Sequence, residues 1–368
     1  MNRTFVSLAL SIAAATLPVF GQNTQKLTAN KVSEYAFIYT LPSNVFDITV
    51  AARKTVSEPG EFALYAKKYL GLDPILDKSV TWTLEGAEII PAAVADADER
   101  YQVQFKSGTT PFVMVTQEGF PVSINDDGYE TEAAPATSLR AVAAEPTPLE
   151  VPAARQAVTE DMLRSQSSAK RAELAAARIY EIRQQRNDIS SGQADGMPGD
   201  GQAMKIAIDN LDAQEAALTA MFTGTVKTST EVRTYRVTPP LDDQPTGHIV
   251  FARLSATGGL TDADDLSGQP IYVDFKDIST AELPVNEKGV EKTFPKGGMA
   301  YRIPGSARVE VTFDGRTIAG GVFDIAQYGV VFGLEPNIFT DKKTPAYLHF
   351  YPMTGAIREL GSLSKQSE

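Results

Sequence analysis

Any imidazole chemistry in this chain must run through His248 or His349, its only two histidines. A metal centre or a serine–histidine–acid triad would have to recruit one of them. His248 opens a strand-patterned run, and His349 lies inside Tyr347-Leu-His-Phe-Tyr351, where alternation turns every second side chain inward. The simplest expectation is two strand histidines, one packed between aromatics. No HExxH, GxSxG or Walker-type loop occurs. Gly196-x-x-Gly199-x-Gly201 has the glycines of a phosphate cradle, but it follows a helical pattern and lacks the phosphate lysine. It reads as a helix–helix loop. Cysteine is absent, which removes thiol nucleophiles, thiolate metal sites and disulfides together. The expectation is no catalytic residue, no cofactor-binding residue, no cofactor and no metal ligand.

Three acidic loops have oxygen ligands that suit calcium: Asp188 with Asp195 and Asp200; Asp262 with Asp264 and Asp265; and Asn125-Asp126-Asp127-Gly128. None has the twelve-residue spacing closed by a glutamate, and Asp with Gly is also what any turn selects. Carboxylate pairs of the kind that cleave glycosides are uninformative, since 46 acidic residues always supply some pair. Arg178, Arg183 and Arg186 are more specific. Set among Glu173, Glu181 and Asp188, they make either a solvated face laced with local ion pairs or a docking face for a partner chain. Tyr35, Phe37, Tyr39, Tyr65, Tyr69, Tyr101, Tyr347, Phe350 and Tyr351 are the alternative, a stacking surface for a glycan or peptide.

These residues must be held by elements that periodicity delimits. From Thr159 to Gly224 apolar residues recur at helical spacing: Ala172, Ala176, Ile179 and Ile182, then Met204, Leu211 and Leu218. Thr159 before Glu160 and Asp161 starts a helix, and Gly224 stops one. The pattern predicts two antiparallel helices joined near Ser190 to Gly201, the first roughly 30 residues and about 45 Å long. Either side of this stretch the period is two. An N-terminal α+β domain is expected over 22–125, with a strand pair turning at Pro42-Ser43-Asn44. A helix is expected from Ser57 to Gly71. An Ala/Pro-rich linker follows over 126–152, the helical pair fills 153–224, and a mostly β domain, sandwich-like, fills 225–368. Asp314-Gly315 is the strongest hairpin signal. Thr354-Gly355 marks a second one, whose partner sheet is open. The expected fold is therefore α+β: two β-rich domains with a long antiparallel helical hairpin between them.

Residues 1–21 resemble a secretory signal, with Arg3, an apolar run from Phe5 to Leu17, and Val19 and Gly21 before Gln22. No later run is long and apolar enough to cross a bilayer as a helix. The formal net charge of -12 disfavours nucleic-acid backbones and anionic lipid.

Several segments carry a resemblance: Glu34-Tyr-Ala-Phe-Ile-Tyr-Thr-Leu-Pro42, Asp47-Ile-Thr-Val50, Pro59-Gly-Glu-Phe-Ala-x-Tyr-Ala66, Ala175-Ala-Ala-Arg-Ile-Tyr-x-Ile-Arg183, and Leu211-Asp-x-Gln-Glu-Ala216 through Gly224. Ile303-Pro-Gly305 and Ile325-Ala-Gln327-Tyr-Gly329 belong with them. Together they resemble an uncharacterised exported family of Bacteroidota, domain of unknown function 4831. The resemblance implies an exported envelope protein, periplasmic or outer-membrane-associated, and transfers no catalytic residue. The resulting expectation is a non-enzymatic protein with an envelope-protein partner, its helical hairpin acting as spacer or docking arm. The oligomeric state is left open.

Overall fold

The computed structural model describes residues 23–26, 36–104, 112–133, 135–194, 201–241, 249–335, 338 and 346–362. His248, Tyr35, Asp195, Gly196, Gly199, Asp200 and the signal-like residues 1–21 lie outside the described residues.

Strands dominate, in three antiparallel sheets. The first contains β1 (Asn23–Lys26), β2 (Phe37–Glu58), β3 (Ser79–Gln104) and β6 (Thr225–Val237), in the order β1-β3-β2-β6. The second contains β7 (Ile249–Ser255), β8 (Gly259–Asp262), β9 (Gly268–Ser279), β10 (Met299–Phe313) and β11 (Arg316–Leu334), in the order β11-β10-β9-β7-β8. The third joins β4 (Val113–Val115) and β5 (Pro121–Ile124) to β12 (Ala346–Tyr351) and β13 (Ala356–Ser362), in the order β13-β12-β5-β4.

This overturns the expected pair of β-rich domains separated by a helical hairpin. The Phe46–Glu58 part of β2 pairs with β6, which follows the helical region, and β5 pairs with β12 from near the other end of the chain. The sheets thus draw strands from both sides of the helices, and no helical element stands between two lobes. A period of two marks a strand without naming its partner, so pairing across long sequence separations is invisible to it.

The helical stretch also differs from the single long first arm expected. It comprises α2 (Pro152–Ala157), α3 (Glu160–Arg164), α4 (Ser168–Ser191) and α5 (Gly201–Thr223), after a short α1 (Ala66–Leu70). The arm breaks at Ser165 to Ser167, where Ser167 accepts from the Lys170 N–H and caps a new helix. Their buried residues pack on Phe62 and Ala66 beside the first sheet.

Two further expectations are corrected locally. Pro42-Ser43-Asn44 is no turn: β2 runs straight through it, and a register shift between Thr40 and Pro42 absorbs the proline. Ser57 and Glu58 belong to β2, and the helix expected there begins only as a 3-10 turn at Ala63. The Asp314-Gly315 hairpin forms, both residues having positive φ.

The largest core lies between the first and second sheets. Phe46, Ile48 and Val50 of β2 alternate inward against Phe251, Ile271, Val273, Val309 and Val311. Phe46 meets Phe275 and Phe323 edge-on at 5.6 and 5.3 Å, and burying one such ring contributes about 1.5–3 kcal/mol. A second core gathers Tyr39, Leu41, Tyr101, Ile124, Met299, Leu348 and Phe350 where the three sheets meet.

Candidate functional site

α4 buries Ala172, Ala175, Ala176, Ile179 and Ile182, and α5 buries Gln214, Ala217, Leu218, Ala220 and Phe222. The small alanines let the two helices approach closely, and this sets Arg183 and Arg186 of α4 against Asp212 and Glu215 of α5. Arg183 Nε donates to Glu215 Oε1 at 2.6 Å, and Arg186 Nη1 donates to Glu215 Oε2 at 2.7 Å. The same Arg186 nitrogen bonds Asp212, the contact that contributes most to raising the Arg186 pKa above its ordinary value. Two cations thus share two carboxylates, and Glu215, the most buried of the four, is the common acceptor.

These four residues line an open groove of about 580 Å³. Its other walls are Thr219, Thr223, Thr225 and Val226, where α5 passes into β6, and Pro148 of the connecting segment. Arg178 is not among the lining residues; it pairs with Glu181 on its own helix at 3.2 Å. At about 100° per residue it lies some 140° around α4 from Arg183. The structure therefore brings together two of the three arginines singled out in the sequence. Asp212 and Glu215 were the missed partners. Their spacing of three matches that of Arg183 and Arg186, which is the signal that could have found them.

The connecting segment, which composition marks as a linker, runs across the first sheet. Thr137 and Ser138 hydrogen-bond the Glu88 carboxylate on β3, holding its pKa below the usual value, with the Ser138 side chain the largest cause. Val142 then exchanges two backbone hydrogen bonds with Thr230 on β6, at 2.9 and 3.0 Å. Glu150 closes the crossing on Lys227 at 2.7 Å.

A second cluster surrounds His349. Its Nε2 lies 2.8 Å from Asp126 Oδ2, and its Nδ1 lies 3.6 Å from Glu359 Oε2. The Tyr129 ring stacks on it with centroids 3.9 Å apart, and the Arg358 guanidinium lies over Tyr129 and Tyr351. Ser123, the cross-strand neighbour of His349, turns its hydroxyl to the Asp126 carbonyl. The histidine side chain is only 9% exposed. The cluster thus pins the Asp126–Tyr129 turn, where the chain leaves β5, onto β12. Asp126 and His349 are 223 residues apart, so no local pattern could join them.

Of the aromatics considered for stacking, Tyr39, Tyr101 and Phe350 are core residues, whereas Tyr351 is exposed beneath Arg358. Among the described residues no group of three or more His, Asp or Glu side chains could hold a metal ion, and no helix is long and apolar enough to cross a membrane.

The family model "Domain of unknown function (DUF4831)" matches residues 35–358, a span that takes in the groove, His349 and most of all three sheets. The chain belongs to the DUF4831 family. No curated protein and no solved structure matches it. In this DUF4831 member the groove residues lie within the matched span, as do His349, Asp126, Tyr129 and Arg358 of the second cluster, while Glu359 falls one position beyond it.

Proposed function

We propose that this DUF4831 protein is an exported cell-envelope protein that works by holding a partner chain, with the groove between α4, α5 and β6 as its contact and no chemical step of its own. The observation that supports this reading is the sharing of Glu215 by Arg183 and Arg186 at the rim of an open groove. Solvent-exposed ion pairs contribute only about 0.2–1 kcal/mol each. The Arg186–Asp212 pair is of that kind, the Asp212 side chain being 50% exposed, so a partner's carboxylate can take over that contact on Arg186 at little loss while Glu215 stays bonded, and Arg offers the forked donors that such an exchange favours. The signal-like pattern of residues 1–21 supports export, as does the resemblance to exported Bacteroidota proteins.

The test is chemical cross-linking in native envelope followed by affinity purification, comparing the unaltered chain with one carrying Arg183→Glu and Arg186→Glu. The expected result is loss of the cross-linked partner with an unchanged circular dichroism spectrum. The same partner retained at the same yield on the doubly altered, folded chain would refute the reading. Fractionation that leaves the protein in the cytoplasm with residues 1–21 attached would refute the export part.

A further inference from the structure

The groove runs directly into the outer edge of β6, since Thr225 and Val226 belong to both. β6 is the last strand of its sheet, and its pairing with β2 runs from Thr225 to Val237 without a register shift. In an antiparallel strand, residues two apart direct their backbone groups to the same side. Thr230 turns its N–H and C=O outward to Val142. Thr228, Val232 and Thr234 must therefore point their backbone groups to that same edge. Among the described residues, Thr230 is the one of these four with a backbone partner there.

The edge thus already holds an extended antiparallel segment of the protein's own chain, but by a single residue pair. The reason is legible in the connector. Continued past Val142, the register would set Glu145 opposite Lys227 and Pro146 opposite Val226. A proline has no N–H to give at that position, and Pro148 follows it. The connector leaves the edge instead, and Glu150 reaches Lys227 from outside the ladder. Val142 itself is 58% exposed. It is held there by its backbone and not by packing.

We propose that the β6 edge is a strand-addition site for an extended, proline-free peptide segment of a partner protein, antiparallel to β6 and carrying an acidic residue opposite Lys227, and that the Val142 connector is a weak internal occupant that such a segment displaces. The proposal rests on the partner-holding reading above and names the contact. A foreign segment is the fitting occupant because it can pair with Thr228, Val232 and Thr234 as well as Thr230. The connector of a second copy would bring the same prolines and gain nothing over the internal one.

The probe is a synthetic peptide of sequence 138–148 with Pro146→Thr and Pro148→Thr, fluorescently labelled and titrated against the full chain. Val142→Pro in the protein removes the N–H that bonds the Thr230 carbonyl and should free the edge. Affinity for the peptide should rise about tenfold, as expected when a competitor occupying roughly nine chains in ten is released. Hydrogen exchange should slow at Thr228, Val232 and Thr234 when the peptide binds, and Lys227→Glu in the protein should weaken binding. If Val142→Pro does not fold, Glu150→Ala loosens the connector from its far end, and a smaller gain in affinity is expected. Equal affinity for the unaltered chain and a folded loosened variant would overturn the proposal, as would protection confined to other strands. Dimerisation of the loosened chain in place of peptide binding would assign the edge to a second copy and overturn the choice of occupant. A chain that loses its envelope partner on reversal of Arg183 and Arg186, yet ignores the peptide, keeps the groove and refutes the edge; the converse result separates the two the other way.

Discussion

Asn44 and Gln327 pair as two peptide groups would. The Asn44 N–H donates to Gln327 Oε1 at 2.8 Å, and Gln327 Nε2 donates to the Asn44 carbonyl at 2.8 Å. The side chain of a residue on β11 thereby continues the hydrogen bonding of β2, a strand of another sheet. The Asn44 side chain completes the join. Its Oδ1 accepts from the Ala326 N–H at 2.7 Å, and its Nδ2 donates to the Met353 carbonyl in the β12–β13 turn at 2.9 Å. One buried asparagine thus ties all three sheets, and nearby Arg302 of β10 adds a bond to the Ala326 carbonyl and an ion pair with Asp96 of β3.

Asn44→Ala leaves the buried Ala326 N–H and the part-buried Met353 carbonyl without these partners. The expected loss is about 2–4 kcal/mol, because an orphaned buried polar group forfeits its full desolvation. Gln327→Ala strands the Asn44 backbone pair and should cost about 1–3 kcal/mol by the same argument. The double variant should lose less than the sum, since the two residues act as one unit. Urea denaturation of the four chains measures the cycle; strictly additive losses would show that the residues are not coupled.

Gly224 ends α5 and begins β6 with φ at +86°. A Cβ there would collide with the Glu58 carbonyl at the end of β2, besides straining the backbone. Gly192, the C-cap of α4, also has positive φ, but a Cβ there meets open space. Gly192→Ala should therefore cost about 1 kcal/mol and Gly224→Ala at least about twice that. Thermal melts of the two variants give the comparison, and equal losses would mean that the approach of β2 to the helix end is not what requires glycine.

Tyr328 is buried, and its hydroxyl has no hydrogen-bond partner among the described residues. Burial pushes its pKa up to about 12 from an ordinary value of 10.0. Because the folded pKa is the higher one, the unfolded chain releases the proton first. The protonated phenol's contribution is complete below about pH 10 and is lost as pH rises through about 12. Tyr328→Phe should be neutral or stabilising by about 1 kcal/mol at neutral pH, since it removes an unsatisfied group without changing the ring. It should also flatten the fall in stability between those two pH values. Denaturation midpoints of both chains across that range provide the check; a destabilised phenylalanine variant would reveal a hydrogen bond to the hydroxyl.

The arginine pair shows how far local pattern reaches. Helical spacing places Arg183 and Arg186 on one stretch of helix, and a matched spacing places Asp212 and Glu215 on the next. The contact between them follows once α4 packs on α5. His349 is the opposite case. Alternation correctly made it a strand residue between aromatics, but Asp126 and Tyr129 reach it only because β5 pairs with β12. Asn44 was misread outright. Beside Pro42 and Ser43 it has turn composition, and only burial among three sheets makes the same amide a junction.

What residue order alone determined here is whatever depends on neighbours a few positions apart: strand and helix periods, the Asp314-Gly315 turn, the stop at Gly224, and a chemistry without thiols. What the tertiary structure decided is which strands share a sheet, that the helices stand beside sheets rather than between lobes, and that an Ala/Pro connector lies across β6. Those outcomes depend on hydrogen bonds and packing between residues up to some 300 positions apart. No local period carries that information, because any strand with the right alternation satisfies it equally until the whole chain competes for partners.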